Sequence, residues 1–158
     1  MNEKYTYFWK SFSPFSNWYL SDFTFKDVDF IHMEQYMMWS KAKLMSDEKQ
    51  AEAILATKSA KACKDLGRGV RPFNSKLWDE KKEQIVYEGC YAKFAQNTKI
   101  KEVLLKTEGE LVEASPFDKV WGIGLDERKA RMIDPELWPG QNLLGKVLTK
   151  VRENLKKT

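Results

Sequence analysis

The feature that most constrains this chain is the run IHMEQYMMWSKAKLM, Ile31 to Met45, which is rich in good helix formers and contains neither Gly nor Pro. It reads as one helix, and more helical segments follow. Asp47 with Gln50 three residues on makes a capping-box-like start for AEAILAT, and Ser59 to Leu66 reads as a short helix stopped by Gly67 at the C′ position. Asn74 or Ser75 can cap KLWDEKKEQIVYEGCYAKFAQ, in which Leu77, Ile85, Ala92 and Phe94 recur near helical spacing. A further helix is expected from about Thr98 to Lys106, and LLGKVLTKVRENL places Leu144, Val147, Val151 and Leu155 on one face of a closing helix.

Strand signals are sparse and short. Tyr5, Tyr7 and Trp9 alternate along an extended start, and FTFKDVDF alternates around Lys26-Asp27 as a hairpin does, with Asp able to take a positive φ. SPFSN between them is a loop, and LVEA and KVWGIG are each too short for a helix and favour small strands. The expected fold is therefore mostly α, a helix-rich α+β arrangement in a single domain spanning 1–158, with several helices and a small β-sheet or hairpin.

At 158 residues the chain has the length of one domain, which buries roughly 70% of its unfolded surface. Hydrophobic residues at 42% and aromatics at 13% supply a core without disulfides or metal. No apolar run approaches the roughly 18 residues of a bilayer span and the N-terminus lacks a signal-peptide pattern, so a cytoplasmic location is expected. Cys63 and Cys90 then read as buried free thiols, and ligands for a structural zinc are too few. The net charge of +4 is modest, and the densest cations, Lys146, Lys150, Arg152, Lys156 and Lys157, fit a solvated terminal helix better than a nucleic-acid patch.

Glu34 and Lys41 lie seven residues apart, on nearly the same helix face and about 10 Å apart along the axis. Either they share a partly dry pocket with Met37 and Met38, or they are solvated charges flanking a core stripe. The loop-like run VEASPFDKVWGIGLD, Val112 to Asp126, combines the acids Glu113 and Asp118, the indole of Trp121, and Gly122 and Gly124, which permit close backbone approach. Acid catalysis at a glycosidic bond suits this composition, and so does a structural turn around a buried Trp. Arg68 between Gly67 and Gly69 offers a cation for phosphate or is an exposed residue at a helix stop. His32 is the only histidine, which leaves nucleophile pairs poorly supported and favours a helix-entry role. Trp78 and Trp138 read first as core residues, with Trp78 the better ligand candidate.

In order, FSNWY, FIHMEQYMMWSKAKLM, KDLGRGVRPFN, YEGCYAKFAQN, LVEASPFDKVWGIGL and WPGQNLLGKVLTKVR together resemble the NADAR superfamily, also called YbiA-like, from near Phe15 to Arg152. The resemblance implies an N-glycosidase acting where the anomeric carbon of a phosphorylated ribose is bonded to nitrogen. The substrate is then ADP-ribose on guanine in nucleic acid, or a ribosylamino-pyrimidine phosphate of early riboflavin biosynthesis. It carries the catalytic acid onto Glu34, the helix lysine onto Lys41, and the loop Asp and Trp onto Asp118 and Trp121. Glu34 or Asp118 would protonate the leaving nitrogen or stabilise positive charge on the ribose, and Trp121 with Trp78 would bracket the ring system. Lys41 would bind phosphate or form a Schiff base with the opened sugar. Asn17 and Arg68 would meet ribose hydroxyls and phosphate. No cofactor, metal, membrane or obligate protein partner is implied. Trp39-Ser40 and Gly89-Cys90 depart from the family's usual Tyr-Gln and Gly-Asn, which bears on specificity if those positions touch substrate. The competing readings are a non-catalytic ADP-ribose or NAD-binding module and a nucleic-acid binder acting through its terminal helix.

Overall fold

The computed structural model describes residues 4–158. Strand β1 (Tyr5–Phe8) is followed by the hairpin β2 (Phe23–Phe25) and β3 (Val28–Phe30), then by helices α1 (Met33–Leu44), α2 (Glu48–Ala56), α3 (Ala60–Arg68), α4 (Ser75–Ala95) and α5 (Thr98–Leu105). Strand β4 (Glu110–Glu113), the short helix α6 (Glu127–Ala130), a 3-10 turn (Pro135–Leu137) and α7 (Leu143–Leu155) complete the chain. The fold is helix-rich, with two two-stranded sheets.

Helix starts follow local side-chain chemistry. His32, Asp47, Ser59 and Asn74 each sit at an N-cap and accept a hydrogen bond from the backbone N–H three residues on, satisfying a donor the helix cannot. His32 thus has the helix-entry role expected of it. Gln50 does not reach back to close a capping box; its amide donates to Leu66 O of α3 at 2.7 Å. The hairpin turns at Lys26 and Asp27, both with positive φ, the geometry a two-residue connection requires.

Two sequence expectations need correction. Gly67 does not stop α3 but lies inside it, and Gly69 is the C-cap. A side chain at Gly67 would collide with Met38 of α1, so this glycine serves close helix approach. KVWGIG forms no strand. Its carbonyls instead accept from the backbone of the next segment, Lys119 from Gln141, Val120 from Leu143, Trp121 from Leu144, Gly122 from Asn142 and Ile123 from Gly140. The loop is thereby tied to the start of α7 and left free of a ladder.

Helix α1 is the hub, packing on α2, α3, α4 and β3. Its Met33, Tyr36, Met37, Met38 and Ala42 join Phe30, Ile54, Cys63, Val86, Cys90 and Phe94 in the main core, with both cysteines free and buried. The predicted face of α7, Leu144, Val147, Val151 and Leu155, is buried in the same core. β1 pairs with β4 in parallel, from Tyr5 beside Glu110 to Phe8 beside Glu113. That pairing delivers Glu113 and the loop after it to the N-terminal end of α1. No helix among the described residues is long and apolar enough to cross a membrane.

Candidate active site

A cleft of about 270 Å³ opens where four segments meet: the loop of residues 16–18, the face of α1 that carries Glu34 and Lys41, the side of α3 that carries Lys64 and Arg68 with Trp78 of α4, and the end of β4 with the loop after it. It is lined by Asn17, Glu34, Lys41, Arg68, Trp78, Asp118 and Trp121, all expected from the sequence, together with Ser16, Trp18, Met37, Met38, Lys64 and Glu113. Gly122 and Gly124 are not in the lining. Gly122 packs against the carbonyls of Glu113 and Asp118, and Gly124, with a φ of 76°, lies against Lys119 and Pro139, so both shape the loop from behind. Trp138 packs with Tyr5 and Tyr7 outside the cleft.

Glu34 is the centre of this arrangement. It is 6% exposed, and its Oε1 accepts from the Trp18 indole at 3.2 Å, while its backbone N–H donates to Asn17 O at 2.9 Å. Burial pushes its carboxyl up to about 7, against the opposing pull of the Trp18 hydrogen bond and of Lys64; the neighbouring Asp118 adds to the rise. Glu113 rises to about 8, again chiefly through burial, with Asp118 and Glu34 adding repulsion. At neutral pH this cleft therefore contains carboxyl groups that still hold protons, the condition a general acid needs.

Lys41 lies two turns along α1 with its Nζ 4.7 Å from the Phe73 ring centroid and 6.0 Å from that of Trp78. Burial draws its ammonium below the usual lysine range and Glu34 partly restores it. Asp118 uses Oδ1 to accept from the N–H groups of Val120 and Trp121, both at 2.9 Å, which fixes the loop that presents Trp121. Lys64 and Arg68, one turn apart on α3, are exposed at the rim, and Arg68 has only a loose ion pair with Asp65 at 3.8 Å.

Hydrogen-bond bookkeeping separates this cleft from the rest of the molecule. Among the described residues, the buried side-chain atoms with no partner are Asn17 Oδ1 and Glu113 Oε1, and both residues line it. Unpaired buried polar atoms are costly and rare, so their coincidence here makes this cleft the stronger candidate for polar groups from outside the chain. A larger, more open hollow of about 1110 Å³ borders β1 and the Arg131 region, but Lys4 there pairs with Glu108 and Arg131 with Glu127. Neither unpartnered buried atom lies there, and the cleft is the better candidate.

Residues 7–156 match the NADAR domain. The chain belongs to the NADAR domain family. A protein named N-glycosidase from Acanthamoeba polyphaga mimivirus is 46% identical over 127 residues, covering 80% of this chain and 75% of that one. The Caenorhabditis elegans protein irg-1 is 40% identical, covering 94% and 78%. The NMR structure of Escherichia coli YbiA superposes with a TM-score of 0.78 at 26% identity, covering 99% of this chain and 88% of that one; a sequence named N-glycosidase YbiA from that species is 31% identical over 115 residues, 72% of this chain and 65% of its own. The positions where this NADAR chain departs from the usual pattern lie away from the cleft: Trp39 stacks edge-on with Phe30, and Cys90 is in the core.

Glu113, Trp18 and Lys64 were not among the residues the sequence reading assigned to the site. Glu113 was visible as an acid of the loop, but nothing local shows that β1 pairing would bury it. Trp18 and Lys64 carry no motif of their own and enter only through the tertiary fold.

Proposed function

We propose that this N-glycosidase cleaves the bond between the anomeric carbon of a phosphorylated ribose and a nitrogen, the ribose belonging to ADP-ribose on guanine in nucleic acid or to a ribosylamino-pyrimidine phosphate. The observation that carries the reading is Glu34, a buried carboxyl near pH 7, facing the same small cleft as Lys41 and Asp118. An acid able to hold its proton at neutral pH is what the departing nitrogen requires.

In the hydrolytic route the C1′–N bond breaks with its electron pair going to nitrogen, which takes the Glu34 proton. Positive charge developing on the ribose is met by the Asp118 carboxylate. Water then bonds to C1′ and returns a proton to Glu34. Lys41 offers a covalent variant, because its lowered proton affinity leaves a larger neutral fraction than a solvated lysine has. Its amine bonds to C1′ as the nitrogen base leaves with the Glu34 proton. The ring oxygen then takes an amine proton as the sugar opens to the Schiff base, and water releases the sugar. Trp78 and Trp121 supply flat apolar surfaces for the base, Lys64 and Arg68 attract phosphate at the rim, and Asn17 Oδ1 accepts from a ribose hydroxyl.

The test is product analysis after incubation with guanine-ADP-ribosylated DNA and, separately, freshly prepared ribosylamino-pyrimidine phosphate. Release of ADP-ribose with the guanine left in the DNA, or of aminopyrimidine with ribose phosphate, that Glu34→Ala abolishes supports the reading and selects its branch. Borohydride trapping of a sugar adduct that depends on Lys41 supports the covalent route. Binding of ADP-ribose with no turnover of either substrate would place the protein among binding modules instead.

A further inference from the structure

One buried charge belongs to neither the cleft nor any ion pair among the described residues. Lys93 of α4 is 1% exposed, and its Nζ donates to Pro14 O at 2.7 Å and Ser16 O at 3.2 Å. The rings of Phe94 and Tyr19 face it at 5.0 and 5.6 Å. Burying an ammonium without a carboxylate carries a penalty of several kcal/mol, and an apolar residue would fill the same space more cheaply. What the charge holds explains its presence. Pro14 and Ser16 belong to the loop of turns that inserts Phe15 into the core and then presents Asn17 and Trp18 to the cleft. Those two residues grip Glu34 from both ends, Asn17 O taking its backbone N–H and the Trp18 indole donating to its carboxylate.

We propose that Lys93 is a positioning residue: by clamping the carbonyls of Pro14 and Ser16 from beneath, it holds the loop so that the Trp18 indole stays on Glu34 and sets that carboxyl's proton affinity. Lys93 is not itself in the cleft lining and reaches it only through the loop, by its bonds to Pro14 O and Ser16 O. The inference rests on Glu34 being the working acid of the proposed function, but not on which substrate is cleaved.

The sign of the effect follows from the bond. The Trp18 indole stabilises the ionised carboxylate and so draws Glu34 down from where burial alone would put it. Losing that bond while Glu34 stays covered raises its value further. The titratable groups around Lys93 are Cys90 on its own helix, His32 at the start of α1 and Tyr19 from the loop. The charged groups that act on Glu34 itself are Lys64, Asp118 and Lys41.

The experiment is a 13C NMR titration of the glutamate carboxyl carbons, with the Glu34 signal assigned by its loss in Glu34→Gln. It needs no substrate, so it reads this proposal separately from the proposed reaction. Lys93→Met is expected to raise the Glu34 midpoint by roughly one unit, the size of one lost hydrogen bond to a charged group. Trp18→Phe, at a position 37% exposed and tolerant of change, is expected to raise it similarly. The double variant is expected to show no further rise, because both act on one bond. A purely structural lysine would lower the melting temperature and leave the midpoint in place. An unmoved midpoint in folded Lys93→Met, or in Trp18→Phe should Lys93→Met not fold, overturns the proposal, as do two shifts that add.

Discussion

Glu34 and Gln35 are neighbours on α1, nearly equally buried, and bonded in opposite ways. Gln35 faces inward and is saturated: its Oε1 accepts from Ile31 N at 3.0 Å, and its Nε2 donates to Ile54 O and Thr57 O at 3.2 and 3.1 Å. It ties the end of α2 to the start of α1. Glu34 faces the cleft with one indole bond to its side chain and repulsion from Asp118. The same contrast separates Asn142, which bonds Glu113 N, Glu110 and Leu111 O, from Asn17, whose side-chain oxygen has no partner among the described residues. Burial alone does not separate these two kinds of polar residue. Hydrogen-bond saturation does, because unmade bonds are tolerated only where something else rewards them.

The largest effect is expected on the cleft side. Glu34→Gln keeps the shape and removes the proton, so turnover should fall roughly 100-fold to 10,000-fold in a steady-state assay, with the melting temperature held or raised. Lys41→Met should come next: loss of borohydride-trappable adduct with near-complete loss of turnover if the amine is the nucleophile, against a rise in KM alone if it only binds phosphate.

How much of this contrast is legible in the sequence depends on range. The helices, their caps and the hairpin are local, so Asp47, Ser59, Asn74 and the Lys26-Asp27 turn announce them directly. Helical spacing also put Glu34 and Lys41 on one face, and the ordered NADAR motifs pointed to Asp118 and Trp121. What sequence could not display is nonlocal. β1 finds its partner about 100 residues downstream, and that parallel pairing is what buries Glu113. KVWGIG looks like a strand because it is too short for a helix, but its carbonyls are used by residues 140–144. Gly67 looks like a helix stop because no local signal reveals Met38 lying across it.

An intermediate effect tests the acids together. Folded Glu34 and Glu113 have values raised from 4.5 to about 7 and about 8, so between pH 4.5 and those values the folded state binds more protons than the unfolded one. Stability contributed by these groups is present in full at acid pH and is lost as pH rises toward 8. Urea unfolding from pH 5 to 8 should show that decline, and Glu34→Gln and Glu113→Gln should each flatten it. A slope unchanged in both variants would contradict the raised values. The smallest effect belongs to the rim: Arg68→Ala should raise KM about 3-fold to 10-fold with kcat unchanged, since an exposed cation screened by solvent contributes about 1 kcal/mol.

The most direct test of the central claim sets Glu34→Gln beside Gln35→Met in the same two assays, turnover of the cleaved substrate and urea unfolding. Adjacent buried residues of one helix should then split: Glu34→Gln abolishes turnover in a protein at least as stable as the parent at pH 8, and Gln35→Met loses about 2 to 4 kcal/mol of stability while its folded fraction turns over within a few-fold of the parent. Retained turnover in Glu34→Gln, or a Gln35→Met protein that is stable and inactive, would contradict the division of α1 into a saturated face that holds the fold and an unsaturated face that performs the reaction.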